Sequence, residues 1–358
     1  MKVAIIGAGL AGLSCAYELE KRGIKSTIFE RYGFIGDSEN HVSAILFVVN
    51  RPAKDPLMLL KHKYGINLKP AGTINLLTHF SQNKKTSLKG NFGYFMKRNR
   101  DNDSLKAQLY SHLKKPEIIF NEFVDYETLI GKYDYVIVAT GNSNYTNELG
   151  CWQKKWISGY VRVAVLHGDF NPCELIMWIN KKYCKNGYAY LTPYNSQKAS
   201  LALFVPDIEP QELNQFWELF LSTENIKYKT VEEAVIMHES GFVYPHKVGN
   251  ILFAGNSGGM LDPFLGFGQT KSIFSGIYAA QAIAEKKNYD ELLIPFQKDL
   301  AAMYEFRKAI NNSTDRAYDY LLTSLGLPGV KNVLYNLPVN FVKYGGYILG
   351  FSNKKRKF

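Results

Sequence analysis

KVAIIGAGLAGLSCAYELEKRGIKSTIFE, residues 2–30, reads as a strand, a tight turn, a helix and a second strand. The apolar runs "KVAIIG" and "IKSTIFE" flank the helix-like "AGLAGLSCAYELEKRG", which makes a βαβ unit. Gly7, Gly9 and Gly12 fall in the spacing G-x-G-x-x-G. In that motif the first glycine permits the turn, the second lets a pyrophosphate approach, and the third lets helix and strand pack closely. The helix start presents free N–H groups and the positive end of its dipole to a phosphate. Glu30 closes the second strand, where a carboxylate accepts both hydroxyls of an adenosine ribose. An acid there disfavours a 2′-phosphate, so the motif predicts FAD or NAD.

A second glycine stretch, "AGNSGGMLDPFLGFGQ" at 254–269, precedes the helix-like "TKSIFSGIYAAQAIAEKK". Between the two lies "YDYVIVATGNSN", a continuous apolar, β-branched run that ends in a small-residue turn. Such a run predicts a strand buried on both faces of a parallel sheet. The segment "GYFMKRNRDNDSLKAQLYSHL" leads into a helix expected to end at Lys115, before Pro116. From Cys151 to about Tyr244 the character changes. There "VRVAVLHGDF", "GYAYLTPY" and "ASLALFVPD" read as antiparallel strands, and "PQELNQFWELFLS" as a helix. Past the second glycine stretch, "LLIPFQKDLAAMYEFRKAINNSTDRAYDYLLTSLG" predicts helices.

With 358 residues, 46% hydrophobic and 14% aromatic, the chain can bury a sizeable core, which excludes a disordered protein. Its four cysteines form no CxxC pair, which predicts reduced thiols in a cytosolic protein rather than disulfides or zinc. The apolar N-terminus is not expected to be a signal peptide, because it carries the glycine spacing together with Glu18 and Glu20. No apolar run approaches the about 18–20 residues of a membrane-spanning helix, so no bilayer crossing is expected. Net charge is +11, part of it in the tail "FSNKKRKF" beside "VKYGGYILGF". That tail suits anionic lipid headgroups or nucleic acid, or is a solvated terminus.

No Ser/His/Asp triad, paired carboxylates or metal-ligand pattern is visible, which fits chemistry carried by a cofactor. His41 and His238 fall near loops without a partner at a telling spacing, so no catalytic residue is nominated. Tyr188 and Tyr190 alternate with Ala189 and point to one face, either as an apolar groove or as ordinary sheet packing.

Three motifs in order resemble the FAD-dependent oxidoreductases of the p-hydroxybenzoate hydroxylase fold, and within them the geranylgeranyl reductases. The first glycine loop with Glu30 matches the family's adenosine and pyrophosphate site. "GNSGGMLDPFLGFGQ" resembles its Gly-Asp motif and its Pro-x-x-Gly-x-Gly loop against the flavin ring, with Asn256 in place of the aspartate. "GYFMKRNRDNDSLKAQL" looks like the Arg-x-x-Phe-Asp-x-x-Leu segment, with Arg98 as the arginine and Leu105 as the leucine. "GYAYLTP" is similar to the Gly-Tyr-x-Trp-x-Phe-Pro motif of the prenyl groove, with Tyr190 for the Trp and Thr192 for the Phe.

The resemblance implies an FAD site built from Gly7, Gly9, Gly12, Glu30, Arg31, Arg98, Val124, Gly141, Gly255, Asn256, Pro263, Gly266 and Gly268. Arg98 would neutralise the pyrophosphate or pin the ribityl chain. A substrate groove would take Tyr188, Tyr190 and Pro193. The expected architecture is α/β with an α+β second domain. A Rossmann-like FAD-binding domain (1–48, 93–150 and 245–290) is interleaved with an antiparallel-sheet substrate domain (49–92 and 151–244), followed by a helical region (291–358). The implied activity is reduction of C=C bonds in an isoprenoid lipid. The alternatives are a monooxygenase or halogenase on an aromatic substrate, and a flavin-binding electron carrier without turnover. Expected partners are an amphiphilic isoprenoid or other apolar small molecule and a reductant, NAD(P)H or ferredoxin-type. A cytoplasmic location with peripheral membrane contact is also expected, and nucleic acid is not an expected partner.

Overall fold

Val3–Ile6 (β1) is buried along its whole length, as a strand with neighbours on both sides and both faces covered must be. It pairs in parallel with Ser26–Glu30 (β2) and with Tyr135–Val138 (β7). Glu117–Phe120 (β6) extends this sheet beyond β2, and Ile251–Phe253 (β14) extends it beyond β7, both in parallel. Lys247–Val248 (β13) closes the edge antiparallel to β14, giving the order β13-β14-β7-β1-β2-β6. The computed structural model describes residues 1–50, 55–327, 329–330, 335 and 339–355. The basic tail from Lys354 onward lies outside the residues whose side chains are described.

A second sheet of eight strands takes His41–Leu46 (β3), Gly72–Phe80 (β4), Lys85–Arg98 (β5), Trp152–His167 (β8), Glu174–Trp178 (β9), Tyr188–Pro193 (β10), Lys198–Pro206 (β11) and Lys229–Val243 (β12). Its order is β12-β8-β11-β10-β9-β4-β5-β3, with every pairing antiparallel except β4 with β9. Ala164, Leu191, Leu201 and Leu203 pack on one face against Leu213, Trp217 and Phe220 of the helix Leu213–Thr223. Because side chains alternate along a strand, Tyr188, Tyr190 and Phe204 then occupy the opposite face. The alternation read in "GYAYLTP" is thus realised.

Strand β3 and residues 93–98 of β5 pair with each other in the eight-stranded sheet. One local expectation is corrected. The helix expected to run to Lys115 ends at Tyr110. The side chains of Ser111 and His112 both bond the Gln108 carbonyl, at 2.7 Å each, and so compete for a helical acceptor.

The helices Leu10–Lys21 and Gln269–Glu285, which follow the two glycine stretches, cross on one face of the parallel sheet. Ser14 ties them by donating to the Ile273 carbonyl at 3.0 Å. Past them run the helices Tyr289–Asn311, Asp315–Leu325 and Phe341–Lys355.

Candidate cofactor and substrate site

Loops from the C-terminal ends of β1, β2, β6, β7 and β14 meet at one cavity of about 520 Å³. Open α/β sheets bind ligands at that edge, because the loops there are free of the ladder and helix N-termini point toward them. Gly7 sits at φ +102°, a left-handed region that favours glycine, and a Cβ there would stand 2.6 Å from the Ala139 carbonyl oxygen. At Gly9 a Cβ would meet nothing nearer than 3.8 Å, so this glycine opens space toward the cavity it lines. Gly12 does not line the cavity. A Cβ there would stand 2.0 Å from the Gly7 carbonyl oxygen, which assigns it to the contact between helix and turn.

Glu30 is buried, and its carboxylate accepts the N–H of Ala8 at 2.7 Å and of Tyr32 at 3.0 Å. It therefore ties the first glycine turn to the end of β2 while keeping further lone pairs for ribose hydroxyls. Leu13 makes the first helical bond, to Gly9 at 2.9 Å, which leaves the N–H groups ahead of it directed at the cavity. A turn that only glycine tolerates, open space at the second glycine, helix N–H groups and a strand-end carboxylate fit a dinucleotide.

Arg98 lies on the wall, but its guanidinium is not free. It donates to both oxygens of Asp37, from Nε at 2.6 Å and from Nη2 at 2.9 Å. Lys106 joins the same carboxylate at 2.9 Å. Burial alone would raise the Asp37 carboxyl, but Arg98 and then Lys106 outweigh it and hold it well below the usual carboxylate range. Two cations thus share one buried carboxylate beside the first glycine turn, and Glu39 lines the same cavity.

The second glycine stretch forms the other end. Gly255 turns the chain at φ +66°, and a Cβ there would stand 3.0 Å from the Ala11 Cβ, so the second loop packs against the start of the helix that follows the first. Ser257 bonds Thr140 at 2.9 Å and Gly141 N–H at 3.2 Å, joining the turn after β7 to this loop. Asp262, buried and not singled out by its sequence, organises the rest. Its carboxylate accepts the N–H groups of Phe264, Leu265 and Phe267 at 2.7, 2.9 and 2.9 Å. The hydroxyl of Tyr188 donates to the Leu265 carbonyl and fastens the loop to the large sheet.

Beyond that loop the cavity wall is apolar. Tyr188, Phe204, Val161 and Ile236 are successive register partners across β10, β11, β8 and β12, and all four line the cavity. Tyr190 and His238 join them. His238 stands where a Cβ on Gly266 would meet it at 2.6 Å, and burial, then Arg307, hold its imidazole down to about 4. His41 also lines the cavity, near the Asp37 cluster, its imidazole held down to about 4 by burial first and by Arg98 second.

Of the residues expected from sequence, Gly7, Gly9, Glu30, Arg31, Arg98, Val124, Gly141, Gly255, Asn256, Gly266, Gly268, Tyr188 and Tyr190 come together at this cavity. Gly12, Pro263 and Pro193 do not line it; Pro193 pairs with Ala199 in the sheet. Thr192 is fully buried and donates to the Val42 carbonyl at 2.7 Å, a tie between β10 and β3. Asp37, Lys106 and Asp262 carried no local signal. The two histidines were visible, and a strand register would have placed His238.

Residues 2–63 match the family described as FAD dependent oxidoreductase (DAO). The chain superposes on a geranylgeranyl bacteriochlorophyll reductase-like protein from Thermoplasma acidophilum, with TM-score 0.73, 15% identity, and 97% of this chain and 98% of that one covered. The protein has the fold of the FAD-dependent oxidoreductases. FAD is the cofactor indicated. The flavin-dependent brominase Bmp2 is similar over 100% of both chains at 15% identity and TM-score 0.67. A tetracycline destructase is similar at 15% identity and TM-score 0.61, covering 93% of this chain and 97% of that one. Proteins named for different chemistries thus share this architecture. Among the described residues, no helix is long and apolar enough to cross a membrane.

Proposed function

We propose that this flavoprotein reduces C=C bonds in the isoprenoid chain of a lipid, of geranylgeranyl type. The observation that carries the reading is the row Tyr188, Phe204, Val161 and Ile236, which gives the dinucleotide cavity an apolar wall at its far end. Such a wall receives a hydrocarbon chain without leaving polar groups unpaired. Bound and reduced, FAD would supply a hydride to one alkene carbon. The other carbon then needs a proton, which we assign to Tyr190.

Burial pushes the Tyr190 phenol up to about 12, against the opposing charge of Arg98, so it carries its proton at neutral pH. The Tyr188 hydroxyl is spent on the Leu265 carbonyl, which leaves Tyr190 as the donor. Electrons would come from NAD(P)H or a ferredoxin-type reductant. The test is anaerobic turnover of a geranylgeranyl lipid by the reduced holoprotein, read as added hydrogen pairs in the product mass.

The enzyme would work at the cytoplasmic surface of a membrane. Gly345 and Gly346 seat the helix Phe341–Lys355 on Phe306 and Ala302, which leaves Tyr344, Tyr347 and Ile348 exposed on its outer face. The sequence beside that face continues as KKRK, a charge suited to anionic lipid. Salt-sensitive sedimentation with phosphatidylglycerol vesicles is expected, and its absence in low salt would reject the contact.

The aromatic wall also favours a second reading, oxygen-dependent hydroxylation or halogenation of an aromatic substrate. Oxygen-dependent NAD(P)H consumption on a phenol, without any hydrogenation of lipid, would select it. A protein that takes up FAD and passes its electrons to another protein without turning over either substrate would be an electron carrier.

A further inference from the structure

We propose that Arg307 is a positioning residue of the flavin site, which holds the loop Asp262–Gly268 from behind and biases the cavity toward the reduced, negatively charged state of the ring. This rests on the FAD assignment and not on the choice of substrate. Arg307 lies in the helix Tyr289–Asn311, distant in sequence from both glycine stretches, and is 3% exposed. Its Nη1 donates to the Phe264 carbonyl at 2.6 Å and its Nη2 to the Asn186 carbonyl, while Nε has no acceptor. Phe264 precedes the cavity-lining residues Leu265–Gly268, and Asn186 lies just before the strand that carries Tyr188. One guanidinium therefore grips both sides of the contact that Tyr188 makes with Leu265.

The charge is as telling as the geometry. Buried guanidinium groups are ordinarily matched by a carboxylate, since desolvation otherwise opposes them. Here both acceptors are backbone carbonyls. Burial lowers the pKa of the guanidinium, while Tyr188, Tyr318, Cys184 and Asp262 oppose that shift. Asp262 is the carboxylate among them, and its oxygens already accept three backbone N–H groups, whose partial positive charges offset its own. The positive charge of Arg307 thus remains available to what enters this end of the cavity. His238, on the same wall, responds to it, with burial first and Arg307 second in keeping its imidazole neutral. A ring that gains negative charge on reduction is stabilised by such a cation, and the effect is large where water is excluded.

The test is the midpoint potential of bound FAD in the holoprotein, titrated anaerobically against an indicator dye, for wild type, Arg307→Gln, Arg307→Lys and Asn186→Asp. Arg307→Gln is expected to weaken the preference for reduced over oxidised flavin at least tenfold, a fall of about 30 mV for a two-electron couple. Arg307→Lys is expected to recover most of it. A folded, flavin-bearing Arg307→Gln with the wild-type potential overturns the proposal. Where Arg307→Gln does not fold, Asn186→Asp decides, because it keeps the guanidinium and adds a carboxylate at a residue it holds. The potential must fall there too, and an unchanged value overturns the proposal. Wild-type protein that takes up no FAD overturns the cofactor assignment and this proposal with it.

Discussion

Gly276 lies so close to Ala11 that a Cβ built on it would stand 2.1 Å from the Ala11 carbonyl oxygen. This is where the helices behind the two glycine stretches cross, and the contact sets the distance between the loops they carry. Residues of both stretches line one cavity, and the crossing at Gly276 brings them together. In the proposed account the first loop takes the phosphate end of the cofactor and the second its far end.

Gly276→Val would force these helices apart. Overpacking of this kind costs about 1–3 kcal/mol, so a lower melting temperature is expected. FAD retention on gel filtration should fall as well, because the loops separate. A variant with wild-type melting temperature and full flavin occupancy would contradict the role given to the crossing.

Asp262→Ala leaves the N–H groups of Phe264, Leu265 and Phe267 without their acceptor. A donor left unpaired costs up to about 1–3 kcal/mol where water cannot replace the carboxylate. Urea unfolding should report the loss, with a flavin absorbance spectrum altered from wild type. Asp262→Asn, which retains one acceptor oxygen, should fall between.

The N-terminal βαβ unit was legible because its signals are local: three glycines at fixed spacing and an acid at a strand end. The same holds for Tyr188 and Tyr190, whose shared face follows from the pleat alone. Asp37 with Lys106, and Arg307 with Phe264, were not legible, since each pair is joined only by the way distant elements pack. The sheet to which β3 belongs was not legible for a related reason, because its apolar pattern fits either sheet and only pairing with β5 distinguishes them. Asn256 was expected near the flavin, and it lines the cavity.

His79 gives a pH dependence that can be isolated from the site. Burial holds its imidazole down to about 4, and its Nδ1 has no partner. The unfolded chain takes up that proton near pH ~6.5, the folded one only near 4, so the unfolded state binds more protons between those values. Stability therefore falls as pH drops from about 6.5 to about 4, with the same sign at His41 and His238. His79→Phe is expected to lose less stability than wild type between about pH 8 and about pH 5 in chemical denaturation. An unchanged difference would contradict a buried neutral His79.

Tyr190→Phe removes the proposed proton donor and keeps the apolar wall. Positioned acids contribute about a hundredfold or more. Reoxidation of reduced flavin by lipid, followed anaerobically by absorbance, should slow by that order at saturating lipid, with apparent lipid affinity retained. A wild-type rate would remove Tyr190 from the reaction.

The most direct measurement is the mass of a geranylgeranyl lipid after anaerobic incubation with the dithionite-reduced holoprotein. The account predicts product heavier by whole hydrogen pairs, formed in amounts that follow flavin reoxidation. Lipid of unchanged mass, with the same preparation consuming NAD(P)H and oxygen on a phenolic substrate, would contradict it.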